Sequence, residues 1–202
     1  MNYLRKVYCF AYNKIWTFFY RMVFLKLGNR VVIKKPIEIT PEYISIGDGV
    51  TIMHHARLQG ISNYLGIKYN PRIVLGEGVS IQQNLHLTCA RSVSIGSNTA
   101  IAANVTITDI HHPYEDISKP IEHQELIVKE VFIDSDCKIY NNAVILPGVH
   151  IGKHTTIGAN SVVTGDISDF SVAVGIPAKI VKRYNPISQK WEKTEPDGSF
   201  IK

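Results

Sequence analysis

The segment Thr108-Asp109-Ile110-His111-His112-Pro113-Tyr114-Glu115-Asp116 puts two adjacent imidazoles and three carboxylates into nine residues, and the polar stretch Pro120-Ile121-Glu122-His123-Gln124 follows it. A neutral imidazole near pH 7 is suited to taking a proton from an attacking hydroxyl. Adjacent side chains on an extended segment point opposite ways, so only one of His111 and His112 faces an acceptor. Asp109 has two readings. It orients the imidazole as the third member of a catalytic group, or it is a turn-forming aspartate satisfied by local backbone. Tyr114, Glu115 and Gln124 either touch a substrate or belong to a solvated loop. His54 and His55 form a second pair, which with Arg57 reads as a surface corner or as a reach into a neighbouring copy. No two-His-plus-acid spacing falls on one helix or strand, which predicts no catalytic metal. Cys9, Cys89 and Cys137 are odd in number and lack paired spacing, which argues against a disulfide scaffold and fits a reducing compartment.

The elements that position these groups show a period of six. Aliphatic residues recur at Ile46, Ile52, Leu58; Leu75, Ile81, Leu87; Ile95, Ile101, Ile107; and Ile133, Ile139, Ile145, Ile151, Ile157, Val163. Six is not a helical period, because such steps drift around a helix of about 3.6 residues per turn. The segments read as short strands, each one side of a three-sided coil with its aliphatic anchor pointing inward. Gly47, Gly76, Gly96, Gly152 and Gly158 follow an anchor directly, where they are expected to turn corners at unusual dihedrals. The position four after the anchor is small or β-branched, as at Val50, Ala56, Thr99, Ala143 and Ser161, which suits a narrow interior. Three hexads make a turn of 18 residues, with Ile133 stacked on Ile151 and Ile139 on Ile157. The period stops over residues 59–74 and 108–132, where loops are expected to leave the coil. Function concentrates in such excursions.

The ends differ from this body. Residues 1–30 hold six bases, no acid and nine of the 19 aromatic residues, and read as a helical segment. It either caps the coil or rests on a membrane surface. So much apolar surface disfavours nucleic-acid binding. Asn13, Lys14 and Arg21 interrupt the apolar run, which disfavours a signal peptide or a bilayer span and predicts a cytoplasmic protein. Residues 31–183 form the solenoid domain, and 184–202 a short polar C-terminal tail with one large anchor, Trp191.

The hexads, the run Asn142-Ala143-Val144-Ile145-Leu146-Pro147-Gly148-Val149-His150-Ile151-Gly152, the run Ile157-Gly158-Ala159-Asn160-Ser161 and the closing Gly175-Ile176-Pro177-Ala178-Lys179 resemble the hexapeptide-repeat acyltransferases. The resemblance covers residues 40 to 183. Asp109-x-x-His112-x-Tyr114, followed by Pro120-Ile121-x-x-Gln124, is similar to the O-acetyltransferases of lipopolysaccharide and capsule synthesis, relatives of the maltose and galactoside acetyltransferases. The resemblance implies an all-β solenoid, a left-handed parallel β-helix, assembled as a homotrimer with active sites between subunits and using acetyl-coenzyme A. It implies His112 as general base with Asp109 as its catalytic partner, and His111, Tyr114 and Gln124 toward a sugar or oligosaccharide acceptor. It implies Asn141, Ala143 and Ala159 along the pantetheine slot, Thr164 near the pyrophosphate, and Lys179, Lys182 and Arg183 on the 3′-phosphoadenosine. Relatives carry a histidine at Ile110, and Val-Trp-Ile-Gly where this chain reads Cys137-Lys138-Ile139-Tyr140, so acceptor and coenzyme contacts are expected to differ there. The implied activity is O-acetylation of a sugar hydroxyl in bacterial surface polysaccharide synthesis. The alternatives are N-acetylation of a nucleotide-linked amino sugar and a non-catalytic β-helix that binds or assembles.

Overall fold

The computed structural model describes residues 19–201, which wind into a three-sided coil of short strands. The first face stacks Lys26–Leu27, Ile44–Ile46, Ile73–Leu75, Val93–Ile95, Val131–Ile133 and His150–Ile151. The second stacks Val32–Ile33, Thr51–Ile52, Ser80–Ile81, Ala100–Ile101, Lys138–Ile139, Thr156–Ile157 and Ser171–Gly175. The third stacks Glu38–Ile39, Arg57–Gly60, His86–Cys89, Thr106–Thr108, Val144–Ile145 and Val162–Val163. Neighbours within each stack are parallel, as a coil requires.

All fifteen anchors point into one continuous core and are at most 2% exposed. Burying such a side chain stabilises the fold by roughly 1.5–3 kcal/mol relative to exposure. The polar residues four after an anchor are satisfied inside: Thr99 Oγ1 donates to the Asp134 carbonyl at 2.9 Å, and Ser161 Oγ accepts from the Gly175 N–H at 3.1 Å. Ile133 pairs with Ile151, Ile139 with Ile157 and Ile145 with Val163, so the 18-residue turn holds over residues 131–163, and the last turn shortens to 16, with Ile157 paired to Ala173. Earlier the turn is longer. Leu75 pairs with Ile95, 20 residues on, because the corner at residues 89–92 carries two extra residues.

The glycines after the anchors have a different cause from the one expected. None of Gly47, Gly76, Gly96, Gly152 and Gly158 has positive φ. Their constraint is the close approach of successive turns: a Cβ on Gly47 would lie 2.7 Å from the Glu77 nitrogen, and one on Gly76 2.6 Å from the Ser97 nitrogen. The left-handed corner falls instead three residues after the anchor, at Gly49, His55, Gly78, Asn84, Asn98, Asn104, Asp136, Asn142, Gly148, His154 and Asn160. Glycine, asparagine, aspartate and histidine tolerate that conformation best. His55 is thereby a corner residue. At the corner between the second and third faces the asparagines join side chains, Asn84 Nδ2 to Asn104 Oδ1 (2.9 Å), Asn104 Nδ2 to Asn142 Oδ1 (3.1 Å) and Asn142 Nδ2 to Asn160 Oδ1 (2.9 Å).

The helical segment expected over residues 1–30 lies in part outside the described residues. Its last part is corrected: Lys26–Leu27 is a strand paired with Ser45 and Ile46, because its backbone completes the first face. Phe24 is buried over the end of the core, with Tyr20 packed edge-on against it at 5.6 Å. At the other end Ala178–Asn185 turns back antiparallel on Ser171–Gly175, and Lys190–Lys193 adds outside it. Trp191 packs against Tyr184 and His154.

Two excursions leave the coil. Asn63–Tyr64 and Ile67–Lys68 form a hairpin whose turn residues, Leu65 and Gly66, both have positive φ, as a tight two-residue turn requires. The second runs from Asp109 to Glu130, with Ile110–His111 antiparallel to Ile127–Val128 and a 3-10 turn at Ile121–His123.

Candidate active site

The two excursions and the third face enclose an open cleft of about 400 Å³, lined by Ile61, Tyr64, His86, Thr88, Thr106, Thr108, Ile110, His112 and Leu126. Its floor consists of side chains that alternate with the inward anchors and therefore face out. His86 pairs with Thr106 and Thr88 with Thr108 in register, and Thr88 Oγ1 donates to Thr108 Oγ1 at 2.9 Å. Desolvation, and then the Arg57 guanidinium, lower the His86 pKa below 6.5, so this imidazole is neutral at pH 7.

His112 enters from the second excursion. Its side chain is 39% exposed, yet Nδ1 is out of solvent and has no hydrogen-bond partner. The nearest acid is Glu122, whose Oε2 lies 3.7 Å from Nδ1. Tyr64 holds that carboxylate: its hydroxyl lies 2.7 Å from the Glu122 carbonyl and 2.9 Å from Oε2, and its ring meets the His112 ring edge-on at 5.5 Å. Desolvation first, and then Glu122, raise the Tyr64 pKa, which keeps the hydroxyl a donor. With Nδ1 turned toward Glu122, the Nε2 edge is the one free to meet a ligand.

Asp109 stands elsewhere. Its side chain is fully buried, with Oδ1 accepting from the Ala90 N–H (2.8 Å) and Oδ2 from those of Arg91 (2.7 Å) and Ser92 (2.8 Å). The carboxylate is thus engaged by the long corner at residues 89–92 and not by the imidazole. Of the two readings of Asp109, the contacts match the one in which backbone satisfies the carboxylate, here at the root of the excursion and away from His112. Its backbone carbonyl also accepts from the Lys129 N–H at 2.9 Å, closing the neck where the chain returns.

The expected acceptor contacts move too. His111 points away from the cleft and packs on Tyr114 at 5.9 Å, and neither lines it. Gln124 is buried, and its Nε2 donates to the carbonyls of Asp116 (3.0 Å) and Lys119 (3.4 Å), so it holds the loop together. Tyr64, His86, Thr88, Thr106, Thr108 and Glu122 take the places around His112.

Of the residues expected at the coenzyme, Asn141 and Ala159 sit at equivalent points of the corner that carries the asparagine ladder, with the Asn141 carbonyl accepting from the Asn160 N–H at 2.9 Å. Ala143 is fully buried, so it shapes the corner from within. Thr164 is exposed after the third face. Lys179 pairs with Val174 and Lys182 with Val172; the register shift between Val172 and Ala173 puts both lysines on the outer side. Arg183 pairs with the buried Ser171 instead. Its Nη1 donates to the Gly198 carbonyl at 3.3 Å beneath the Phe200 ring, so the structure separates it from the two lysines. Tyr140 stands exposed at its corner under the Lys138 ammonium, 5.3 Å from the ring centre. Cys137 is buried in the core, and burial raises its pKa.

Among the described residues no group of three or more His, Cys, Asp or Glu is placed to hold a metal ion. No helix among them is long and apolar enough to cross a membrane.

The bacterial transferase hexapeptide (six repeats) family matches residues 130–165. A dTDP-4-amino-4,6-dideoxy-D-glucose acyltransferase of Escherichia coli is 31% identical over 74% of this chain and 83% of its own length. WbbJ of Escherichia coli K12, named for lipopolysaccharide biosynthesis and O-acetyl transfer, is 36% identical over 60% of this chain and 65% of its own length. The chain spans between about half and two thirds of the length of the first curated relatives it matches. Among solved structures, the hexapeptide-repeat acetyltransferase VCA0836 of Vibrio cholerae, complexed with acetyl-coenzyme A, superposes with a TM-score of 0.60 at 22% identity, over 82% of this chain and 74% of that one. The fold is accordingly the left-handed parallel β-helix.

Proposed function

Because this chain belongs to the hexapeptide-repeat transferases, we propose that it is an acetyl-coenzyme A-dependent O-acetyltransferase acting on a sugar hydroxyl of a bacterial surface polysaccharide or its precursor. The observation that carries this reading is the His112 imidazole, backed by Glu122 and Tyr64 on one edge and open on the other to a cleft floored by hydroxyls and a neutral imidazole.

Acetyl-coenzyme A supplies a thioester carbonyl. His112 Nε2 takes the acceptor proton as the sugar oxygen bonds to that carbon, and returns it to the sulfur as the carbon–sulfur bond breaks; a placed base of this kind contributes roughly 10²- to 10⁴-fold. Glu122 favours the imidazolium while the proton rests there. His86, Thr88 and Thr106 offer hydrogen bonds that orient the sugar ring. The residues fit the donor as well: the asparagine-laddered corner at Asn141 and Ala159 is a straight ledge for a slender chain, and Lys179 and Lys182 on one outer side meet its phosphates. The complete site belongs to a homotrimer, in which a neighbour covers the tip of the second excursion, where Ile117 is 97% exposed.

A second reading is supported by the dTDP-amino-sugar relative: transfer to an amine of a nucleotide sugar. Mild alkali separates the two, because an ester product is cleaved and an amide survives. Glu122→Gln tests the site: kcat is expected to fall about tenfold or more with KM for acetyl-coenzyme A unchanged. An unchanged kcat would remove Glu122 from the site.

A further inference from the structure

A second cleft, of about 610 Å³, shares Leu126 as a wall with the His112 cleft. Its other walls come from the return of the first excursion (Lys68, Asn70), from Arg72, from the long corner (Arg91, Ser92) and from Glu130 at the end of the second excursion. The two clefts differ in charge. The His112 cleft is lined by no lysine, arginine or acid, whereas this one gathers three bases against one acid. That is a local concentration, since residues 31–202 as a whole carry 16 bases and 17 acids.

The acid is placed to aim a base. Glu130 Oε1 accepts from Arg91 Nε at 2.9 Å, and the Arg91 side chain, 65% exposed, keeps its two terminal guanidinium nitrogens out of that pair. Lys68 and Arg72 have no ion pair among the described residues. Below the corner, the buried Asp109 charge is met by the N–H groups of Ala90, Arg91 and Ser92, so only the side chains above remain for a ligand. Forked guanidiniums around an open cleft of this size suit a tetrahedral anion with several oxygens.

We infer that this cleft binds a phosphate or diphosphate group of the acceptor while the hydroxyl to be acylated lies across Leu126 at His112. The inference rests on the reading of the His112 cleft as the acceptor site, and it makes the substrate a phosphate-linked sugar instead of a free one. The diphosphate is shared by two sources, a nucleoside diphosphate sugar and a lipid-linked sugar.

Titration calorimetry on the full chain tests it with three probes: inorganic pyrophosphate, uridine diphosphate, and a short polyprenyl diphosphate in detergent micelles. Wild type is expected to bind pyrophosphate. Arg72→Ala and Arg91→Ala are each expected to weaken it roughly 10- to 100-fold, the worth of one charge-assisted hydrogen bond. Glu130→Gln, which removes the one acid, tightens it, and Lys190→Ala on the distant C-terminal strand leaves it unchanged. Tighter binding of uridine diphosphate identifies a nucleotide-linked acceptor, and of polyprenyl diphosphate a lipid-linked one. No binding of any probe, or binding unaltered in the Arg72→Ala Arg91→Ala double variant with native unfolding behaviour, overturns the inference. Acetyl transfer to neutral sugars without diphosphate binding would sink the subsite and spare the transferase. Diphosphate binding through Arg72 and Arg91 without transfer to any acceptor would do the reverse.

Discussion

Asp109→Asn separates a structural from a catalytic aspartate. The carboxylate accepts three backbone N–H bonds at 2.7 to 2.8 Å in a fully buried site. In its better orientation the amide keeps its oxygen on Arg91 and Ser92 and turns its NH₂ against the Ala90 N–H. One charge-assisted bond, worth about 1.5–3 kcal/mol, is then lost, and the other two fall to neutral strength, about half. The expected destabilisation is roughly 3–6 kcal/mol, which for a chain of this length lowers Tm by about 6–24 °C. Differential scanning calorimetry reads the shift, and acetyl transfer at a temperature where the variant is still folded reads the chemistry. The geometry requires a large loss of stability with most of the turnover retained. A variant with wild-type Tm and abolished turnover would mean that Asp109 serves the imidazole, and that its placement under the corner is wrong.

Three further outcomes follow from the packing. Ile139→Asp puts an unpaired charge between Ile101 and Ile157 at several kcal/mol, so its cooperative unfolding transition is expected to vanish in circular dichroism, whereas Lys138→Gln, one residue away on the outer side, keeps it. Asn142→Ala breaks the ladder on both sides and strains a residue at φ 60°, for a loss of about 2–4 kcal/mol in urea unfolding; Asn142→Gly keeps the dihedral free and is expected to lose less. Burial, and then the Asp109 charge, push the Cys89 pKa far up, and burial raises that of Cys137, so mass spectrometry after iodoacetamide treatment of the folded protein should find neither alkylated.

The coil was legible because inward packing imposes one residue type at one spacing: Ile133, Ile139 and Ile145 state the three faces, and the next turn repeats them. The corners were legible only in part: glycine directly after the anchor is the conspicuous signal, while the left-handed residue lies two further on, as at Asn98 and Asn142, where its type varies among Gly, Asn, Asp and His. His112 stood out as a histidine on an excursion. Its surroundings did not, because His86 and Thr106 reach it by stacking across turns, and Tyr64 reaches Glu122 from an excursion 58 residues earlier. The one usable signal was positional: a polar residue directly before the anchors Leu87 and Ile107 must face out on the third face. Asp109 and Gln124 show the opposite failure. Polar types beside a candidate base suggest chemistry, yet the Asp109 carboxylate bonds backbone N–H groups at the root of the excursion and the Gln124 amide bonds carbonyls within it.

His112 is proposed to remove the acceptor proton. Release of free thiol from acetyl-coenzyme A, measured for wild type and His112→Ala across nucleotide sugars, lipid-linked sugars and neutral oligosaccharides, tests it most directly. Acceptor-dependent release by wild type, reduced at least about 10²-fold in His112→Ala with folding and coenzyme binding intact, is the expected result. Equal release by the two proteins would contradict it.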